Sequence, residues 1–231
     1  MRVARLHPFD LPPKDAIRLQ GWLSTKVVPK GPLPRKLRLV GGLDCSVDKD
    51  GHVHGVVVVC AAPDWHVVET VSASAPAPMP YVSGLLSFRE APILLEALRK
   101  LRSKPDLLLV DGHGIAHPRG LGLASHIGLH VAVPVIGVAK SRLCGTHGKP
   151  GKKHGDWVEI LLKGRRVGVV LTTREGTRPV YVSVGNRVAL LPAARRVLET
   201  TTRYRLPEPI RHADALSRRL ARAATGAAAV R

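Results

Sequence analysis

Residues 37–72 read LRLVGGLDCSVDKDGHVHGVVVVCAAPDWHVVETVS, three apolar runs separated by two turn signals. β-branched residues crowd these runs, as a pleated, half-buried surface favours. Asp48-Lys-Asp-Gly51 and Pro63-Asp64 supply the turns. Strands are therefore expected over 37–47, 53–62 and 65–72. Turns this short force an antiparallel meander, because a parallel return needs a long crossover.

Outward from the meander the pattern alternates. Residues 14–26 have helical spacing, and 29–34 are a breaker run. Residues 73–80, rich in Ala and Pro, read as an irregular connection. A helix is expected over 89–102, with Ile93, Leu94, Ala97, Leu98 and Leu101 as its apolar face. Pro92 suits a first turn, where a missing N–H costs nothing. Residues 106–111 then read as a buried strand ending in an acid, 112–122 as a glycine-rich loop, 123–131 as a helix and 135–139 as a short buried strand. The basic, glycine-rich segment 145–155 reads as a mobile loop. Strands over 158–162, 167–172 and 180–184 extend the sheet, and helices over 188–200 and 210–224 follow, with fraying from about residue 226. This order predicts an α/β fold, a mixed sheet in which the antiparallel meander is followed by parallel strands, with helices on its faces. It resembles the ribonuclease H-like fold. One domain is expected for 231 residues.

Lys and Arg number 36 against 17 Asp and Glu, a net charge of +19. Such a field favours a polyanionic partner, nucleic acid or an anionic membrane surface. No amphipathic basic helix stands alone, which weakens the membrane alternative. A hydrophobic fraction of 45% excludes a disordered chain, and no apolar run reaches bilayer length. Residues 1–10 are basic and interrupted by Pro8, unlike a secretory signal, so a cytoplasmic protein is expected. Cys45, Cys60 and Cys144 are too widely spaced for a zinc site and are read as reduced thiols in or near the core.

Acids inside apolar patterns carry information in so basic a chain. Asp44 lies in the uncharged run 39–47, Asp111 ends the strand 107–110, and Glu90 precedes Leu94, Ala97 and Leu101 at helical spacing. Buried lone carboxylates are expensive, so three of them call for a cation or basic partners. One reading is a magnesium site, since hard divalent cations prefer carboxylate and water oxygens and phosphate can complete the shell. Gly42 and Gly112 would then let a phosphate backbone come close. The other reading is that Asp44 and Asp111 cap turns and Glu90 caps its helix. Pattern alone leaves both open, and it favours a surface role for Asp214, which has Arg211 and Arg218 nearby.

Longer strings narrow the choice. PYVSGLLSFRE at 80–90, DGHGIAHPRGLG at 111–122, ASHIG at 124–128, and GVAKS at 137–141 with Leu143 and Gly145 together resemble the endonuclease V family. The resemblance runs from about Gly41 to Asp214. It implies a nick at the second phosphodiester bond 3′ to deoxyinosine, leaving 3′-hydroxyl and 5′-phosphate ends, with some relatives acting on inosine in RNA. It implies that Asp44, Glu90, Asp111 and Asp214 hold magnesium, or manganese in its place, and that Lys140 stands beside the scissile phosphate. Tyr81 matches the wedge that fills the gap left by a flipped base, a task for which a planar ring is suited. Gly84, Gly112, His117, Gly122 and Leu143 match the loops enclosing that base. Ser83 departs from the family, which usually has a second proline there. A zinc site of His113, His117 and His126 lacks a convincing fourth ligand.

Two other functions share these features. A structure-specific nuclease of the same fold would keep the acids and lack the wedge and pocket. A catalytically silent nucleic-acid-binding protein would need only the charge, and four retained acids argue against it. A monomer acting on nucleic acid, with no membrane partner, is expected.

Overall fold

The computed structural model describes residues 1–228. Its elements in chain order are α1 (Pro13–Ser24), β1 (Leu39–Val47), β2 (His52–Ala61), β3 (His66–Pro76), α2 (Leu86–Arg99), β4 (Leu107–Val110), α3 (Leu123–His130), β5 (Val135–Ala139), β6 (Trp157–Leu162), β7 (Arg165–Leu171), β8 (Val180–Asn186), α4 (Leu190–Glu199) and α5 (Glu208–Ala228). The eight strands form one mixed sheet in the order β3-β2-β1-β4-β5-β8-β7-β6. The meander β1–β3 is antiparallel, β1, β4 and β5 run parallel, and β8, β7 and β6 add a second antiparallel run.

Alternation along the strands builds two cores. Leu107 and Leu109 of β4 face α4 and α5, together with Val40, Val56 and Val58. Leu108 and Val110 face α2 and α3, together with Leu43, Val57 and Val59. All four residues of β4 are fully buried, as a strand covered on both faces requires. A third, smaller cluster joins α1 to the start of α2 through Ala16, Leu85 and Phe88.

The structure corrects several expectations. β3 continues to Pro76, taking in part of the segment read as irregular, because it pairs along the whole of β2. A terminal proline is tolerated there, since β3 is an edge strand. Helix α2 begins at Leu86, so Pro92 lies inside it rather than in its first turn. Its lost hydrogen bond is offset by the burial of Ile93, Leu94, Leu95, Ala97 and Leu98. Segment 145–155, read as mobile, is tied at both ends: Thr146 pairs with Leu161, and the Gly155 amide donates to Thr172 O. Helix α5 runs to Ala228, and the remainder of the tail expected to fray, 229–231, lies outside the described residues. Among the described residues no helix is long and apolar enough to cross a membrane.

Candidate active site

The parallel centre of the sheet positions the acids. Asp44 lies within β1, Asp111 is the first residue after β4, and Lys140 is the first after β5. The ends of neighbouring parallel strands converge, as at the carboxyl edge of any open α/β sheet. Helix α5 crosses β1 and brings Asp214 over the same edge. It can approach because residue 42 is glycine: a Cβ there would lie 2.1 Å from the Pro209 carbonyl carbon. Gly42 thus serves helix packing, which corrects the expectation that it admits phosphate.

Ligand oxygens of Asp44, Asp111 and Asp214 all lie within 4.8 Å of one another. Glu90 approaches from α2 without joining that group. Asp44 is only 7% exposed, and its Oδ2 accepts a 2.6 Å hydrogen bond from Ser217 Oγ on α5. Lys140 Nζ lies 2.5 Å from Asp111 Oδ2 and 2.5 Å from Asp214 Oδ1, and Arg218 reaches Asp214 Oδ1 at 2.9 Å. The Lys140 ammonium thus bridges Asp111 and Asp214.

The charges at this edge do not balance. Burial, followed by the charge of Asp111, pushes Asp44 up to about 7 against the pull of Ser217 and Lys140. Burial, followed by the charge of Asp44, pushes Glu90 up to about 8, with Arg89 opposing. Asp111 is raised mainly by burial despite Lys140. Burial alone would lower the Lys140 ammonium, but Asp111 and Asp214 raise it overall. A largely buried, hard, oxygen-only donor set with surplus negative charge fits a divalent cation such as magnesium.

Beside the acids lies a cavity of about 170 Å³. Gly84, Gly112, His117, Gly122 and Leu143, the five residues expected around a base, line it together with Tyr81, the expected wedge. Tyr81 is 67% exposed at its mouth. His117 is buried, and its Nδ1 accepts from the Arg119 amide at 3.1 Å, which places the neutral ring's proton on Nε2. Burial, then the Arg119 charge, lowers its pKa to about 4, so the ring is neutral near pH 7.

Three supporting residues were not foreseen. Gln20 of α1 is fully buried, and its Nε2 donates to Gly84 O at 3.0 Å and Leu121 O at 2.8 Å. Arg119 donates to Gln20 Oε1 and to Gly84 O, clamping the pocket's two loops together. Gly84 needs its left-handed φ of +78°, and a Cβ there would lie 2.5 Å from the Arg119 guanidinium. Gln20 had left a signal, a polar residue between Ala16 and Leu23 on the apolar face of α1. Ser217 had left none. His113 lines the cavity with His117, but His126 lies elsewhere, against His7 and His130, so the imagined three-histidine zinc site is not assembled.

Comparison with known proteins identifies the family. Residues 22–215 match the Endonuclease V family. Endonuclease V of Trichormus variabilis is 43% identical over 94% of this chain and 99% of its own. The crystal structure of Endonuclease V from Streptomyces avermitilis superposes with a TM-score of 0.86 at 40% identity, covering 93% of this chain and 95% of that one. The Ciona intestinalis Endonuclease V, solved in complex with a 24mer DNA containing an inosine followed by a ribo-adenosine, superposes with a TM-score of 0.79 at 28% identity, over 89% of this chain and 96% of that one. A family match across most of the chain, borne by a shared fold, places this protein in the endonuclease V family of nucleases.

Proposed function

We propose that the chain acts as a single domain and a monomer, a magnesium-dependent endonuclease that recognises a deaminated purine in DNA and hydrolyses the second phosphodiester bond 3′ to it. The observation that carries this reading is continuity. Asp111 belongs to the acid cluster and Gly112 to the pocket wall, while α2 carries Ser87 at the pocket and Glu90 at the acids. A base held in the cavity therefore keeps its own strand close to the carboxylates. The Ciona relative, bound to inosine-containing DNA, supports the choice of substrate.

The pocket suits a neutral purine. Backbone groups of the two glycine-bearing loops and the neutral His117 can hydrogen-bond hypoxanthine without charge. Tyr81, at the mouth, takes the place of the extruded base in the stack. A divalent cation held by Asp44, Asp111 and Asp214, with Glu90 beside them, would supply Lewis-acid stabilisation of phosphate charge and acidify the attacking water. Ser217 fixes the Asp44 carboxylate, and Lys140 offers an ammonium to the phosphate. Water adds to phosphorus as the P–O3′ bond breaks, O3′ leaves as a hydroxyl, and the phosphate stays on the 5′ end.

Incubating the protein with a duplex containing one deoxyinosine, in magnesium, should give a single nick one nucleotide beyond the lesion's own 3′ bond. Chelator should abolish it, manganese should restore it, and a parallel single-inosine RNA measures the second substrate class. Equal cutting of undamaged duplex would overturn the reading.

A further inference from the structure

A second cluster of ligating side chains lies where the N-terminal segment crosses α2 and α3. His126 and His130 are four residues apart on α3, so their rings share one face of the helix. His7 comes from the extended segment ahead of α1, and its Nε2 lies 2.8 Å from His126 Nε2. One nitrogen from each of the three rings falls within 4.8 Å of the other two. Phe9 and Phe88 wall the cluster, with ring centroids 4.6 Å from His7 and 4.8 Å from His126.

The outer nitrogens are already engaged. His130 Nδ1 donates to Ala4 O at 2.7 Å, and His7 Nδ1 donates to Pro8 O at 2.7 Å. A carbonyl only accepts, so both protons are on Nδ1 and both Nε2 atoms are bare lone pairs. His126 Nδ1 faces Ser87 Oγ at 3.0 Å, a group that donates or accepts. In the metal-free ring set His126 Nε2–H satisfies His7, and nothing satisfies His130 Nε2, a buried acceptor in a residue 2% exposed. A hydrogen-bonded core staple accounts for the first pair and leaves that lone pair unexplained.

We infer that His7, His126 and His130 form a binding site for one divalent transition ion of the zinc type, distinct from the acid cluster. Three neutral imidazole nitrogens suit a borderline-soft ion and offer magnesium nothing, while the all-oxygen acid cluster has the opposite preference. Burial holds all three rings in the neutral, ligating form. Tetrahedral zinc at about 2.0–2.1 Å sets its nitrogen ligands roughly 3.4 Å apart, so His7 and His126 must part by about half an ångström. His7 is half-buried ahead of α1, whereas His126 and His130 are buried in α3, so His7 is the ring that would shift. On binding, the His126 proton passes from Nε2 to Nδ1, where Ser87 Oγ accepts it, and no net proton is released. Every ligating ring then has its other nitrogen donating to a carbonyl or hydroxyl, the outer-shell pattern that orients imidazole ligands. Water completes the shell. The ion would fasten the N-terminal segment to α3, and through His126 Nδ1 to Ser87 of α2, a residue that also lines the base pocket.

The test uses the full untagged chain, stripped with chelator and held in excess magnesium to occupy the acid cluster, then titrated with cobalt(II). One equivalent should develop the visible absorption of four-coordinate cobalt, one equivalent of zinc should displace it, and zinc should raise the thermal midpoint. His7→Asn and His130→Asn, which can keep the Nδ1-type donor, should each weaken binding by more than about a hundredfold. His7→Asn guards against misfolding in the buried variant, and circular dichroism checks both. Asp214→Asn should leave the cobalt spectrum unchanged. Failure to bind cobalt, binding that survives both histidine changes, as at surface histidines, or binding lost only with Asp214→Asn would each overturn the site.

Discussion

Asp44, Asp111 and Asp214 crowd like charges into a buried edge of the sheet, whereas the cavity beside them is closed by backbone, glycines and a histidine kept neutral. The two regions share α2 and the chain around 111–112, so they cannot move independently. Their electrostatics are nonetheless opposite. The acid edge holds carboxyls raised to about 7 and about 8, and the pocket holds an imidazole lowered to about 4. The first is strained without a cation, as the proposed chemistry requires. The second is content when empty, as the proposed reading of a neutral base requires.

The largest expected effect separates the two cleanly. Asp111→Asn removes one carboxylate without changing size. It should lower the nicking rate by at least about a thousandfold, since several kcal/mol of phosphate-charge stabilisation are at stake. Binding to inosine duplex, measured in calcium, should change little, because the pocket and the basic surface remain. Loss of binding in proportion to nicking would show that the acids also hold the DNA, and the division of labour would fail.

How much of this contrast the sequence revealed depends on range. The meander, β4 and β5 were legible because turn residues and apolar runs are local signals. Asp111 was visible as a charge ending the apolar strand. Asp214 was not separable by pattern from a surface acid, because its neighbours come from β4 and β5, more than seventy residues away. The role of Gly42 depended on where α5 crosses β1. Ser217 and Arg119 act through contacts between distant segments, which no periodicity encodes. The sequence grouped His126 with His113 and His117, whereas the fold sets it beside His130 on α3 and brings His7 to both.

A smaller effect tests the opposite electrostatics through pH. For Asp44 and Glu90 the folded pKa lies above the ordinary 3.8 and 4.5. Their contribution is full below about 4, declines as pH rises, and is gone above about 8. His117 has the reverse sign: its folded pKa is below 6.5, so its contribution is present above 6.5 and is lost as pH falls toward about 4. The terms oppose each other below 6.5, and only the acids act above it. Chelated protein should therefore lose roughly 2 kcal/mol between pH 6.5 and 8.5, read from urea midpoints. Glu90→Gln should remove most of that slope, and magnesium should flatten it. An unchanged alkaline limb in Glu90→Gln would place the strain elsewhere.

Tyr81 sharpens the comparison from the pocket side, with the smallest effect and the most selective one. Its ring is exposed at the cavity mouth, so truncation leaves no core hole and should cost little stability. In the proposed mechanism, extruding the lesion from a duplex opens a gap that the ring fills, and the stacking restored is worth about 1–3 kcal/mol per base. Tyr81→Ala should therefore weaken discrimination between inosine-containing and undamaged duplex by that amount. Tyr81→Phe should retain it, because the hydroxyl plays no part in stacking. On single strands no stack is broken, so the defect should shrink toward zero. Ser83, where the family usually has proline, leaves this loop with more freedom, and Ser83→Pro should improve duplex discrimination by fixing φ before the wedge is used. Comparing nicking at limiting enzyme on inosine-containing and undamaged DNA, each as duplex and as single strand, reads all of this at once. Equal defects on single-stranded and duplex inosine would mean that Tyr81 acts by contacting the held base rather than by filling the gap. Reading and unstacking would then belong to the same wall.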